Sequence, residues 1–284
     1  MPSAANPSVA NPRAANPSAV TEAFGKASAD NRAALVAYLP AGFPSVQGAI
    51  EAATAIAEAG ADVIEVGLPY SDPLMDGPVI AEAVQRALTA GTHVADVLRT
   101  VEAIAAVGVP ALVMTYWNPV EAYGVSAFAR DLAAAGGSGL ITPDLTLEEA
   151  DAWLDASDTY DLDRVFLVAP SSTDERIARI AGTCRGFVYA ASLMGITGTR
   201  DAVSGDASGL VKRVRQHTHL PVAVGLGVSN GVQAAQVAEF ADGVIVGSAF
   251  VRRLLEAPGG AEGIAGVRTL TSELCEGVRR KLGS

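Results

Sequence analysis

From residue 33 onward the chain alternates two patterns. Short, nearly continuous apolar runs are followed by longer segments in which apolar residues recur every three or four positions. Eight runs stand out, at 34–39, 62–66, 111–115, 139–142, 165–168, 187–190, 222–225 and 243–246. A strand wetted on one side alternates apolar with polar residues, so runs without alternation belong to parallel strands covered on both faces. The intervening segments carry helix signals. Val94, Val97, Leu98, Val101 and Ile104 make one stripe at helical spacing. Two helices are expected between the second and third runs, at 79–90 and 94–106, and another closes the chain at 261–281. Thr146 with Glu149 and Ser172 with Glu175 have capping-box spacing, while Ser45, Thr92 and Ser126 stand where N-caps belong.

Eight strand-then-helix units in about 250 residues match a closed (β/α)8 TIM barrel, here with extra helices. An open doubly wound sheet more often has about six strands. No GxGxxG follows the first run, which removes the main support for a dinucleotide-binding sheet. Ahead of the first unit, Asn-Pro recurs at residues 6, 11 and 16, and each pre-proline position resists helix. Residues 1–20 therefore read as a disordered tail and 21–284 as one barrel domain. The tail lacks the charged start and apolar middle of a secretory signal.

Composition narrows the partners. Of 284 residues, half are hydrophobic and 18% charged, enough for one large core. The 31 Asp and Glu outnumber 20 Lys and Arg, for a net charge of −11, so no basic face for nucleic acid is expected. An anionic ligand would need a local device. No apolar run approaches the roughly 20 residues of a membrane span. Cys184 and Cys275 lie far apart without CxxC spacing, which fits a reducing, cytoplasmic setting and suggests no metal.

In such barrels the chemistry sits at strand C-terminal ends and on the loops that follow. The second strand and its loop read DVIEVGLPYSDPLMDGP. Alternation turns Val63, Glu65 and Gly67 into the barrel and Ile64 and Val66 outward. A carboxyl in an apolar barrel should have a raised pKa and exchange a proton near neutrality. On the residues alone, Glu65 is equally a carboxylate held by an interior arginine. Asp76, before Gly77 and Pro78, is either a group reaching over the barrel mouth or a turn residue, and Asp72 shares that ambiguity. Three glycine segments end the later strands: Gly195-Ile-Thr-Gly198, Gly225-Leu-Gly227 and Gly247-Ser248. Their amides, with a helix N-terminus, could hold a phosphate without Lys or Arg.

The three lysines, Lys26, Lys212 and Lys281, all lie away from strand C-terminal ends, which argues against a Schiff-base aldolase. His93 precedes a helix, and His217 and His219 lie on the N-terminal side of the seventh strand. Any carbon–carbon cleavage would then use the substrate itself as electron sink.

Beyond these physical arguments, particular segments resemble the tryptophan synthase alpha subunit family. They are Gly60 through Glu65, Pro69, Ser71, Asp72, Asp76 and Gly77 to Pro78; Tyr38 through Gly42 to Pro44; Thr115, Tyr116, Asn118 and Pro119; Pro143 and Asp144; Tyr189 to Thr197 and Gly198; and the glycines at 225, 227 and 247. The resemblance covers residues 33 to about 280. It implies a lyase that splits indole-3-glycerol phosphate into indole and glyceraldehyde 3-phosphate by a retro-aldol step. By the same resemblance, Glu65 is the general acid-base and Asp76 the carboxylate near the indole nitrogen. Tyr116, Tyr189 and Thr197 are expected beside the substrate, and Gly198, Gly227, Gly247 and Ser248 at its phosphate. Asp72 falls in the loop that resembles the family's segment facing a partner subunit. The resemblance further implies an α2β2 heterotetramer with a beta subunit, pyridoxal phosphate in that partner only, and no cofactor in this chain. Phe43, Pro40, Met75 and Thr146 depart from the common pattern; Phe43 replaces an Asp and with it any hydrogen bond made there.

Overall fold

The computed structural model describes residues 17–191, 200–225 and 227–279. Eight parallel strands, each paired with the next in sequence, close into a barrel when β8 pairs with β1. They are β1 (Ala34–Pro40), β2 (Val63–Gly67), β3 (Ala111–Met114), β4 (Gly139–Thr142), β5 (Asp163–Val168), β6 (Val188–Ala191), β7 (Val222–Gly225) and β8 (Gly243–Val246). The helices are α1 (Ala19–Ala29), α2 (Val46–Glu58), α3 (Pro78–Thr89), α4 (Val94–Ala106), α5 (Trp117–Tyr123), α6 (Val125–Ala134), α7 (Asp151–Thr159), α8 (Asp174–Thr183), α9 (Arg200–Arg215), α10 (Gly231–Ala238), α11 (Ser248–Leu255) and α12 (Gly260–Gly277). This is the TIM barrel with added helices that the pattern predicts. Among the described residues no helix is long and apolar enough to cross a membrane.

The unalternating strands serve two cores. Val36, Val63, Leu112, Ile141, Val165, Phe187, Ala223 and Ile245 fill the barrel interior. Their neighbours, among them Leu35, Ile64, Val113, Leu140, Phe166 and Val244, pack outward against the helices. Each strand is therefore buried on both faces, which is why its sequence shows no polar side.

Helix α1 closes the N-terminal end of the barrel. Val20, Phe24 and Ala27 join the interior cluster, and the Phe24 ring lies 5.2 Å from that of Phe187. A Cβ at Gly243 would come within 2.8 Å of Phe24, so β8 needs glycine where the ring enters. Ser18 caps α1 and donates its hydroxyl to Asp163 Oδ2 at 2.6 Å, tying the helix to the start of β5. Most of the tail expected at residues 1–20 lies outside the described residues, but Ser18, Ala19 and Val20 belong to this plug.

Several local expectations need correction. Strand β5 begins at Asp163, earlier than expected, because Asp163 pairs with Gly139 and its buried carboxyl is met by Ser18. Ser45 caps α2 as expected, accepting from the Gly48 N–H at 3.0 Å. Thr92 does not cap α4. Its hydroxyl is buried without a partner among the described residues, and Asp96 instead accepts from the His93 N–H at 3.0 Å. Thr173, not Ser172, caps α8, while Ser172 accepts from the Ala169 N–H. Ser126 lies inside α6, whose N-cap is Gly124, because the unexpected α5 ends there. Thr146 bonds the Glu149 side chain at 3.2 Å ahead of a single 3-10 turn (Leu147–Glu149). Phe43 is buried, with the Arg86 guanidinium 6.0 Å from its ring centroid, so packing stands where an Asp would make a hydrogen bond.

Candidate active site

One layer up from the filled interior, two residues further along each strand, the side chains pointing into the barrel change character. Tyr38, Glu65, Met114, Leu167, Tyr189, Gly225 and Gly247 each lie two positions beyond an interior residue, so they share its face. Together with Ile245 and the β2–α3 loop they enclose a cavity of about 320 Å³ at the C-terminal mouth. That is within the range of small-molecule sites, roughly 300–1,000 Å³.

Among the described residues Glu65 is the only acid in the wall made by the strands, with Tyr38 beside it as its β1 partner. It is 0% exposed, and neither carboxyl oxygen has a hydrogen-bond partner among the described residues. Among the described residues no interior arginine meets it, as a structural carboxylate would require. Burial alone pushes its carboxyl up from 4.5 to about 8.

The aromatic walls depend on the glycines. A Cβ on Gly67 would sit 2.3 Å from the Tyr38 hydroxyl, and one on Gly225 would sit 2.6 Å from that of Tyr189. Gly225 thus makes room for a ring, whatever else its segment does. Burial, reinforced by nearby acids, holds both phenols well above their ordinary value, so both stay neutral.

Asp76 enters from the β2–α3 loop. It is half-buried, and that burial raises its carboxyl while a hydrogen bond from Tyr116 opposes the rise. The Tyr116 hydroxyl accepts from the Met75 N–H at 2.9 Å and lies 3.4 Å from Asp76 Oδ1, to which it donates. Tyr116 therefore stands behind Asp76 and outside the cavity wall. Across the mouth, Gly227 takes a left-handed φ of 68°. Gly247 is the N-cap of α11 with no side-chain cap, and Ser248 opens that helix, which leaves amides free for an anion.

The comparisons with known proteins bear on this constellation. Residues 24–278 match the family model described as tryptophan synthase alpha chain. The chain belongs to the tryptophan synthase alpha chain family. Relatives of that name include those of Salinispora arenicola, 62% identical over 90% of this chain and 96% of theirs, and Thermobifida fusca, 60% identical over 89% and 95%. A tryptophan synthase structure from M. tuberculosis, an open form with BRD0059 bound, superposes with a TM-score of 0.86 at 55% identity, covering 93% of this chain and all of that one. The alpha chain from Legionella pneumophila superposes with a TM-score of 0.85 at 31% identity, covering 95% of this chain.

Of the residues expected from this family's pattern, Glu65, Asp76, Tyr189, Gly227, Gly247 and Ser248 all line the one cavity. Thr197 and Gly198 lie outside the described residues. Asp72 is exposed on the loop and accepts from the Ser71 hydroxyl at 2.6 Å. Tyr38, Met114, Leu167 and Ile245 were not expected as wall residues. The alternation that turns Glu65 inward was the available signal for the first three. Among the described residues no group of three or more His, Cys, Asp or Glu is placed to hold a metal ion.

Proposed function

We infer that Glu65 and Asp76 act as a push–pull pair on the ring of indole-3-glycerol phosphate, in the lyase reaction of this family that yields indole and glyceraldehyde 3-phosphate. The observation that carries the reading is a buried, unpartnered Glu65 carboxyl facing a cavity whose rim holds a second acid. With its carboxyl pushed up to about 8, Glu65 is protonated in about nine molecules of ten at pH 7. It can give that proton to the indole carbon bearing the glycerol chain, which turns the ring into an electron acceptor. Asp76 accepts from the ring N–H and balances the positive charge that develops there. The ionised Glu65 then takes the proton of the adjacent glycerol hydroxyl as the carbon–carbon bond breaks. The bond electrons return to the ring, the aldehyde forms, and Glu65 regains its starting state.

Tyr38, Tyr189, Met114 and Leu167 give this chemistry a mostly apolar, water-poor enclosure. The phosphate is assigned to the amides of Gly227, Gly247 and Ser248, with Thr197 and Gly198 completing the set by family pattern. No cofactor is assigned to the chain. A beta subunit bearing pyridoxal phosphate, in an α2β2 assembly, is the partner this family membership implies. Its seat would be the barrel rim, where Leu74 is 83% and Tyr123 40% exposed, with Asp72 on the same loop as Leu74. A cytoplasmic location accords with two unpaired cysteines.

The test is indole release from indole-3-glycerol phosphate, with and without a beta chain. Glu65→Gln and Asp76→Asn should fold and lose at least about a hundredfold in rate. Near-normal turnover by either variant refutes the assigned role.

A further inference from the structure

We propose that Tyr116 is a positioning residue of this reaction, its hydroxyl holding the Met75–Asp76 segment so that the Asp76 carboxylate faces the cavity. The proposal rests on the reading of Asp76 given above. Three observations support it. The phenol uses both of its hydrogen-bonding capacities on one loop, accepting from the Met75 N–H and donating to Asp76 Oδ1. Its ring also packs against that of Tyr70, tilted by 35° with 5.3 Å between centroids, so the loop is gripped at its start as well as beside its acid. Tyr116 itself is anchored: it is the N-cap of α5, and Asp144 accepts the next amide, Trp117 N–H, with oxygens at 3.0 and 3.2 Å.

The neighbouring residues explain why a grip is needed. Leu74 and Met75 are exposed, and Gly77 follows, so little packing restrains the segment that carries Asp76. The 3.4 Å separation from Asp76 is long for an O–H···O bond, while 2.9 Å from Met75 is ordinary. The amide contact is thus the standing grip, and the carboxylate contact is the one that shortens when a substrate ring draws Asp76 inward. Since Tyr116 is outside the cavity wall, its removal acts on the rate and not on substrate affinity.

The test compares wild type, Tyr116→Phe and Asp76→Asn, which keep the ring and the side-chain shape respectively. Tyr116→Phe should lower kcat about tenfold with KM within about twofold, the effect of losing one hydrogen bond to a charged group. Hydrogen exchange of the Met75 amide should quicken by a similar factor. The acidic limb of the kcat profile should move to higher pH, because Tyr116 is what opposes the burial-driven rise of Asp76. The other titratable groups lining that side, Tyr38 from β1 and Glu65 from β2, are unchanged in this variant. A raised KM at constant kcat would make Tyr116 a substrate contact and overturn the proposal. So would full activity with unchanged amide exchange while Asp76→Asn is inactive. Wild-type rates in Asp76→Asn would overturn the reading of Asp76 itself, and this proposal with it.

Discussion

Replacing Glu65 by Gln keeps the shape of the side chain and removes its titration, which isolates the consequence of burying a carboxyl without a partner. In the folded chain the group titrates at about 8; in the unfolded chain it returns to its ordinary value of 4.5. Between those two points the native state holds a proton that the unfolded state has released, so unfolding is favoured as pH rises. The sign is opposite to that of a salt-bridged carboxylate. Each pH unit within the window removes about 1.4 kcal/mol, for a total of about 5 kcal/mol across it. The Gln variant lacks this loss, while every other titration is common to both proteins and cancels. Urea unfolding followed by far-ultraviolet circular dichroism at pH 5.5 and 8.5 should show the variant gaining about 3 kcal/mol on wild type between the two conditions. Parallel stability profiles would refute the reasoning, since they would mean that Glu65 is solvated or paired.

Other positions give independent checks. Phe24→Ala empties the plug under the barrel and should cost about 3–5 kcal/mol in the same unfolding assay; a loss under about 1 kcal/mol would mean that α1 is not part of the core. Gly67→Ala drives a methyl to within 2.3 Å of the Tyr38 hydroxyl, so the ring must shift. It should cost about 1–3 kcal/mol by calorimetry and weaken substrate binding, and wild-type kcat/KM would contradict the placement of Tyr38 as a wall. Asp144→Ala leaves the Trp117 amide without its acceptor and should lower stability by about 1 kcal/mol in urea titration, whereas no change would show that water replaces the carboxylate without loss.

The barrel was legible because burial on both faces of a parallel strand erases alternation, and eight such runs recur with helices between them. Glu65 was legible for the related reason that a lone acid within such a run, on the face of Val63, has only the barrel to enter. The helical plug was not, since a helix's apolar stripe shows that it packs but not on what; the Phe24–Phe187 contact and the Ser18–Asp163 hydrogen bond reveal the partner. The tyrosine–glycine pairs were hidden too. Tyr38 needs Gly67 on the adjoining strand, and Tyr189 needs Gly225 on β7, relations set by register between strands and not by spacing along one. The caps failed at Thr92, Ser126 and Ser172, where two polar or glycine residues compete within one turn and spacing along the sequence does not separate them.

The central claim is that Glu65 delivers and removes the proton at the indole carbon where the bond breaks. Run in reverse, the same step must exchange the hydrogen at that carbon with solvent. Proton NMR of indole in D2O with the wild-type chain and glyceraldehyde 3-phosphate should therefore show that single ring signal fading at a catalysed rate, and Glu65→Gln should abolish the fading. Exchange by the Gln variant at the wild-type rate would contradict the account.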